Sequence, residues 1–191
     1  MIKDVSIEII QKCLNNCLHC SSCSTSKSTA ILSKNDVAKV VDGLCTLGVQ
    51  RICLSGGEPF LHPDVSEIIG YISQKGIIID VYSCGILGNE DAPTALSLTY
   101  LKKLKSVGLK SIIFNMPSAS EKTYDFITKT TGHFSLLIES VSIDTPKIRV
   151  KKFSASSIRY ILESSSVIFS LYTTVFRFAI SNPCLIASFL K

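Results

Sequence analysis

Between residues 5 and 142 this chain alternates short runs rich in Val and Ile with longer stretches whose apolar residues recur every three or four positions. Val5, Ile7 and Ile9 alternate with Ser6 and Glu8, the period of a strand. Ser33 with Asp36 three residues on marks a helix start; Val37, Val40, Val41, Leu44 and Leu47 then share one face, and Gly48 closes it. Residues 49–55 (VQRICLS) form the next strand. Asp64 opens a second helix with Val65, Ile68, Ile69 and Ile72 on one side and Gly76 at its end. Residues 77–83 (IIIDVYS) have the continuous β-branched character of a buried parallel strand. A third helix passes through Leu98, Leu101 and Leu104 to Gly108, and residues 109–115 (LKSIIFN) make a fourth strand. Ser120 begins a fourth helix, and residues 134–141 read as one more short one. The order β-α-β-α-β-α-β-α implies right-handed crossovers and a parallel sheet with helices outside.

In such sheets the functional loops lie at the carboxyl ends of the strands. Four polar or metal-binding features fall there. Cys13, Cys17 and Cys20 form a C-x3-C-x2-C run after the first strand. Gly56-Gly57-Glu58-Pro59 follows the second, Ser83-Cys84-Gly85 the third, and Asn115 ends the fourth.

Three thiolates on one loop can hold three irons of a cubane cluster and leave the fourth iron open for another ligand. Asn15-Asn16 supplies turn propensity between the first two cysteines. Two alternatives stand beside this. Zinc, with His19 or Cys23 completing four ligands, is one. The other is a closed four-cysteine electron-transfer centre, since Cys17, Cys20 and Cys23 also read as C-x2-C-x2-C. Two successive glycines let the backbone approach a ligand closely, although Gly-Gly and Glu-Pro are also ordinary breakers.

The cysteine spacing and the GGEP segment together resemble the radical S-adenosylmethionine (radical SAM) enzymes, over roughly residues 5–142. The resemblance implies an α/β partial parallel barrel, with a 4Fe-4S cluster on Cys13, Cys17 and Cys20. It implies S-adenosylmethionine bound at its methionine end by Gly56, Gly57, Glu58 and Pro59. Asn115 stands where the family often places a polar contact to the cofactor ribose; Pro117 stands where a carboxylate is common. Ser83 is a further cofactor-site candidate, and Cys84 reads as small and buried. His19 takes the place of an aromatic residue beside the cluster. His62 and His133 read as loop residues. The implied chemistry is reductive cleavage of the cofactor to a 5′-deoxyadenosyl radical that abstracts hydrogen from a small-molecule or peptide substrate. The electron would come from a reductant such as a flavodoxin or ferredoxin.

The last part of the chain departs from this pattern. Only four of the family's six strand–helix units are recognisable, and residues 145–191 hold nine serines with no sustained period. We therefore divide the chain into a core, 1–144, and an irregular C-terminal tail, 145–191, of a truncated or disrupted product. An inactive fragment is accordingly a third functional reading. The core has 13 basic and 14 acidic side chains, the tail 7 and 1. The overall charge of +5 thus comes from the tail and is no argument for a nucleic-acid partner. Residues 167–190 are apolar, but Arg177 and Asn182-Pro183 argue against a membrane span. No secretory leader is expected, since Lys3 and Asp4 run straight into the first strand; with Cys45 and Cys53 on apolar faces, reduced thiols and a cytoplasmic setting are expected.

Overall fold

The alternation of branched strands and capped helices is realised in the computed structural model, which describes residues 2–143 and 149–153. In chain order the elements are β1 (Asp4–Ile10), α1 (Lys34–Thr46), β2 (Arg51–Gly56), α2 (Val65–Gln74), β3 (Ile78–Ser83), β4 (Ile86–Gly88), β5 (Pro93–Ala95), α3 (Leu98–Ser106), β6 (Ser111–Asn115), α4 (Glu121–Thr128), α5 (His133–Ser142) and β7 (Arg149–Phe153). The main sheet has the order β1-β2-β3-β6-β7, with every neighbouring pair parallel. Ser33 caps α1 as its sequence indicates, its hydroxyl accepting from the Asp36 amide.

Strand alternation sorts the two faces. Ile9, Ile52, Leu54, Ile79, Val81 and Ile112 are buried in one apolar cluster with Val41 of α1, Ile69 and Ile72 of α2 and Leu104 of α3. Truncating one of these to Ala would cost about 2–5 kcal/mol. The opposite face is polar. Ser6 and Ser55 hydroxyls lie 2.9 Å apart, and the Arg51 guanidinium meets the buried Asp80 carboxylate at 2.6 Å. Ser111 also donates to Asp80, which ties three adjacent strands together.

Two features depart from the sequence expectation. β4 and β5 pair as an antiparallel hairpin between β3 and α3, where no strand was expected. Its turn is held by the Asn89 side chain, which accepts from the Asp91 and Ala92 amides at 3.1 and 2.8 Å. Strands of three residues are too short to display a period, although Gly88-Asn89 is a turn signal. The second is β7, which falls within 145–191, where we expected no strand. It pairs with the edge of β6 from Ser111↔Arg149 to Asn115↔Phe153, so backbone pairing recruits a segment with no hydrophobic alternation. The stretch 167–190 lies outside the described residues; among those that are described, no helix is long and apolar enough to cross a membrane.

Candidate functional site

At the carboxyl ends of β1, β2, β3 and β6 the chain encloses a cavity of about 280 Å³. Of the ten residues singled out in the sequence, eight line it: Cys13, Cys17, His19, Cys20, Gly56, Gly57, Ser83 and Asn115. Glu58 and Pro59 do not. Asn15, Ser24, Tyr82 and Cys84 line it as well. Tyr82 could have been found from its place beside Ser83 at the end of a strand, where period two turns it to the polar face.

The cysteine loop is shaped by short turns. Cys20 N donates to Cys17 O at 3.2 Å and Cys23 N to Cys20 O at 3.3 Å. The Ser24 amide points at Cys20 Sγ at 3.3 Å. Both ends of the loop are fastened: Cys13 N donates to Thr25 O, and the Asn16 and Leu18 amides donate to Thr128 O and Ile127 O at the end of α4. Cys23, the sequence's candidate for a fourth ligand, lies beyond the turn with φ 48 and outside the cavity lining. The additional thiol in the wall is instead Cys84, packed with Cys13, Leu14 and Ile86.

The glycine pair answers a backbone constraint of its own. A Cβ on Gly57 would stand 2.2 Å from Lys12 O, and one on Gly56, whose φ is +123, 2.2 Å from Ile10 O. Gly57 N donates to Ile10 O and Glu58 N to Lys12 O, at 2.7 and 2.8 Å. The double glycine thus presses the turn after β2 against the chain entering the cysteine loop. Glu58 points the other way. Fully buried, its carboxylate accepts from the Phe60 amide at 3.1 Å, the Cys84 amide at 2.7 Å and the Ser83 hydroxyl. Ser83 Oγ in turn accepts from Gly85 N at 2.8 Å. Burial raises the Glu58 pKa, and hydrogen bonds from Cys84, Phe60 and Ser83 pull it back.

The thiols differ sharply from one another. A hydrogen bond from Cys84 holds Cys13 below the ordinary thiol range, against burial and the Glu58 charge. Cys84 is raised well above it by donating to Cys13 and by burial. Burial, then the Cys13 and Cys20 charges, push Cys17 up to about 12. Three thiolates cannot gather here without a positive partner, and iron supplies one. The Ser24 hydroxyl, buried in the same wall, has no hydrogen-bond partner among the described residues. Among the described residues no three His, Cys, Asp or Glu side chains converge on a point that one metal ion would fill. The thiols instead spread along a cavity wall, and a cubane takes one thiolate per iron. The donor set fits such a cluster. Burial lowers the His19 pKa, which favours a neutral ring in the cavity lining. His62, expected in a loop role, is a buried clip: Nδ1 accepts from Asp64 N at 3.0 Å, so Nε2 carries the proton shared with Leu32 O at 2.8 Å.

Fold and site define a class, an α/β protein with an open parallel sheet and a thiol-lined cavity on its carboxyl rim. A family model described as the Radical SAM superfamily matches residues 7–143, and the chain belongs to that superfamily. Its members are enzymes that use a 4Fe-4S cluster and S-adenosylmethionine. Among curated proteins, the AdoMet-dependent heme synthase of Methanosarcina barkeri is 28% identical over 140 residues, 73% of this chain and 38% of that protein. A probable GTP 3′,8-cyclase of Methanococcus maripaludis is 30% identical over 129 residues, 66% of this chain and 40% of that protein. The chain spans about two fifths of the length of these relatives. Among solved structures, BtrN in complex with AdoMet and 2-DOIA aligns with TM-score 0.56 and 17% identity, covering 82% of this chain and 58% of that one. SuiB of Streptococcus suis bound to S-adenosylmethionine aligns with TM-score 0.59 and 12% identity, covering 74% and 31%. At these identities the structural likeness speaks for the fold.

Proposed function

We propose that residues 1–144 form the cofactor-binding core of a radical SAM enzyme, with Cys13, Cys17 and Cys20 as the cluster ligands. The observation that carries this reading is one cavity with three thiols on one wall and the Gly56-Gly57 edge on another. Held by Cys13, Cys17 and Cys20, a cluster would supply the one-electron reduction by which S-adenosylmethionine is cleaved. The remaining work belongs to the chain. The amides of Gly57 and Glu58 are already engaged by Ile10 and Lys12, so carbonyl oxygens on this edge are what remain to accept the cofactor's ammonium group. Asn115, exposed at the end of β6, offers both a donor and an acceptor to a hydroxyl pair. Ser83 and Glu58 act from behind, holding the floor of the site through their hydrogen bond, and the buried Pro59 continues the turn after Glu58. His19, whose pKa burial lowers, lines the same cavity and would pack against the cluster or the cofactor's adenine. The substrate is a small molecule or a peptide, and a flavodoxin- or ferredoxin-type protein supplies the electron.

A closed four-cysteine centre finds little support, because Cys23 lies outside the cavity lining. The test is anaerobic reconstitution of the chain, followed by measurement of methionine and 5′-deoxyadenosine released from S-adenosylmethionine under a strong reductant. Stoichiometric release supports the proposal. A fully loaded cluster with no release would favour the inactive fragment.

A further inference from the structure

The span between Cys13 and Cys17 has to reverse direction while keeping its thiols apart, and the side chain that turns inward there is Asn15, 3% exposed. Its Oδ1 lies 2.7 Å from Nδ1 of His133, 118 positions away in the sequence. A carboxamide oxygen only accepts, so the imidazole nitrogen donates. The ring is delivered to this point by the turn between α4 and α5. Lys129 closes α4 in the left-handed region, and Gly132, with φ 78, precedes His133. Gly132 N is tied back to the Asp125 carboxylate at 3.1 Å. The same turn provides two further seats. The carbonyls of Ile127 and Thr128, in the last turn of α4 where intrahelical partners run out, receive the Leu18 and Asn16 amides at 2.9 and 3.0 Å. Residues 15, 16 and 18 of the cysteine loop thus rest on one platform built from residues 127–133. Among the described residues the His133 side chain bonds only to that loop, and it does not line the cavity.

We propose that His133 is a positioning residue that presets the cysteine loop for cluster assembly through its hydrogen bond to Asn15; this rests on the reading that Cys13, Cys17 and Cys20 are the ligands. The bond joins two protein side chains and involves no ligating thiol, so its proposed action is on the loop before iron arrives. It limits the conformations from which the loop must be recruited, a saving in ordering entropy rather than a contact with iron.

The test uses the full chain with His133→Ala, Asn15→Leu, the double variant and His133→Gln, whose amide keeps a donor. Two quantities are read: hydrogen–deuterium exchange of residues 13–20 before iron is added, and iron bound per chain after anaerobic reconstitution at limiting iron. Each single loss should speed exchange in the loop about tenfold, the scale of one buried hydrogen bond. Each should also lower iron uptake severalfold, with far-UV circular dichroism unchanged. The double variant should be no worse than the worse single, and His133→Gln should restore both readouts to within about twofold. Unchanged loop exchange in both singles would overturn the proposal, and so would additive effects in the double. Global loss of the fold in His133→Ala with Asn15→Leu unaffected would also overturn it, assigning His133 to the core alone. A parent chain that binds no iron while loop exchange responds as described would overturn the ligand reading and leave the platform standing.

Discussion

Ser83 and Glu58 are joined across the top of the sheet: the Ser83 hydroxyl lies 3.0 and 2.9 Å from the two carboxylate oxygens of a fully buried Glu58. This links the turn after β2 to the turn after β3 and turns the GGEP acid away from the cavity. Replacing Glu58 by Ala leaves the Ser83 hydroxyl and the Phe60 and Cys84 amides without their buried acceptor. We expect a loss of about 3 kcal/mol in urea unfolding, and less with Gln, which keeps one acceptor. Equal stability of parent and Ala variant would show that the link does not hold these turns together.

The two rim glycines should not tolerate a side chain. A Gly57 Cβ would collide with backbone at Lys12, which cannot rotate away. Gly57→Ala should therefore lose about 2–3 kcal/mol or shift the cysteine loop. Gly43, inside α1 with nothing within 4 Å of its would-be Cβ, is the internal control. Gly43→Ala should gain about 0.5–1 kcal/mol from helix propensity. Thermal unfolding of the two variants reads both signs.

Acid should lower the stability of the fold through His133. Burial holds its imidazole below the ordinary value, partly offset by the Asp125 charge. A base with a depressed folded pKa takes up fewer protons folded than unfolded between the two values. Its contribution to stability is therefore complete above about pH 6.5 and is lost as pH falls through the folded value. His19 is shifted in the same direction, so the His133 share is read as a difference. The parent chain should lose stability faster than His133→Gln as pH falls below about 6.5, with a slope difference of at most about 1.4 kcal/mol per pH unit. Parallel curves would contradict this.

A chain ending at residue 144 should still fold. Among the described residues the buried core cluster runs from Ile7 to Leu137. What such a chain gives up is the parallel ladder along β6, from Ser111↔Arg149 to Asn115↔Phe153. Far-UV circular dichroism should be retained, with a loss of about 2 kcal/mol from the unpaired edge beside Asn115. A chain that cannot fold without residues 145–191 would reject the proposed division at 144.

How much was legible from residues alone follows from which interactions are local. The helices that end at Gly48, Gly76 and Gly108 were readable because each glycine follows an apolar stripe of helical period, and all three adopt positive φ. The three cysteines and the double glycine were readable because their spacing is itself the signal. The direction of Glu58 was not, since GGEP reads alike whether its acid faces a ligand or a neighbouring strand. Nor was the approach of Cys84 to Cys13, which requires strands β1 and β3 to flank β2. Asn15 and His133 meet only because four strand–helix units bring α5 back beneath the first loop. β7 owes its place to an open strand edge rather than to its own pattern.

The central claim, an open-iron cluster on three cysteines, is tested most directly by iron and sulfide analysis of single Cys variants after anaerobic reconstitution. The reduced-cluster spectrum is recorded with and without S-adenosylmethionine. Serine at Cys13, Cys17 or Cys20 replaces a soft thiolate with a hard hydroxyl, and each should abolish the four-iron cluster. Cys23→Ala and Cys84→Ala should each keep four irons, and the cofactor should perturb the spectrum of the parent. Loss of iron in Cys23→Ala or Cys84→Ala, together with a spectrum indifferent to S-adenosylmethionine, would mean that a fourth thiolate closes the centre and would contradict the account.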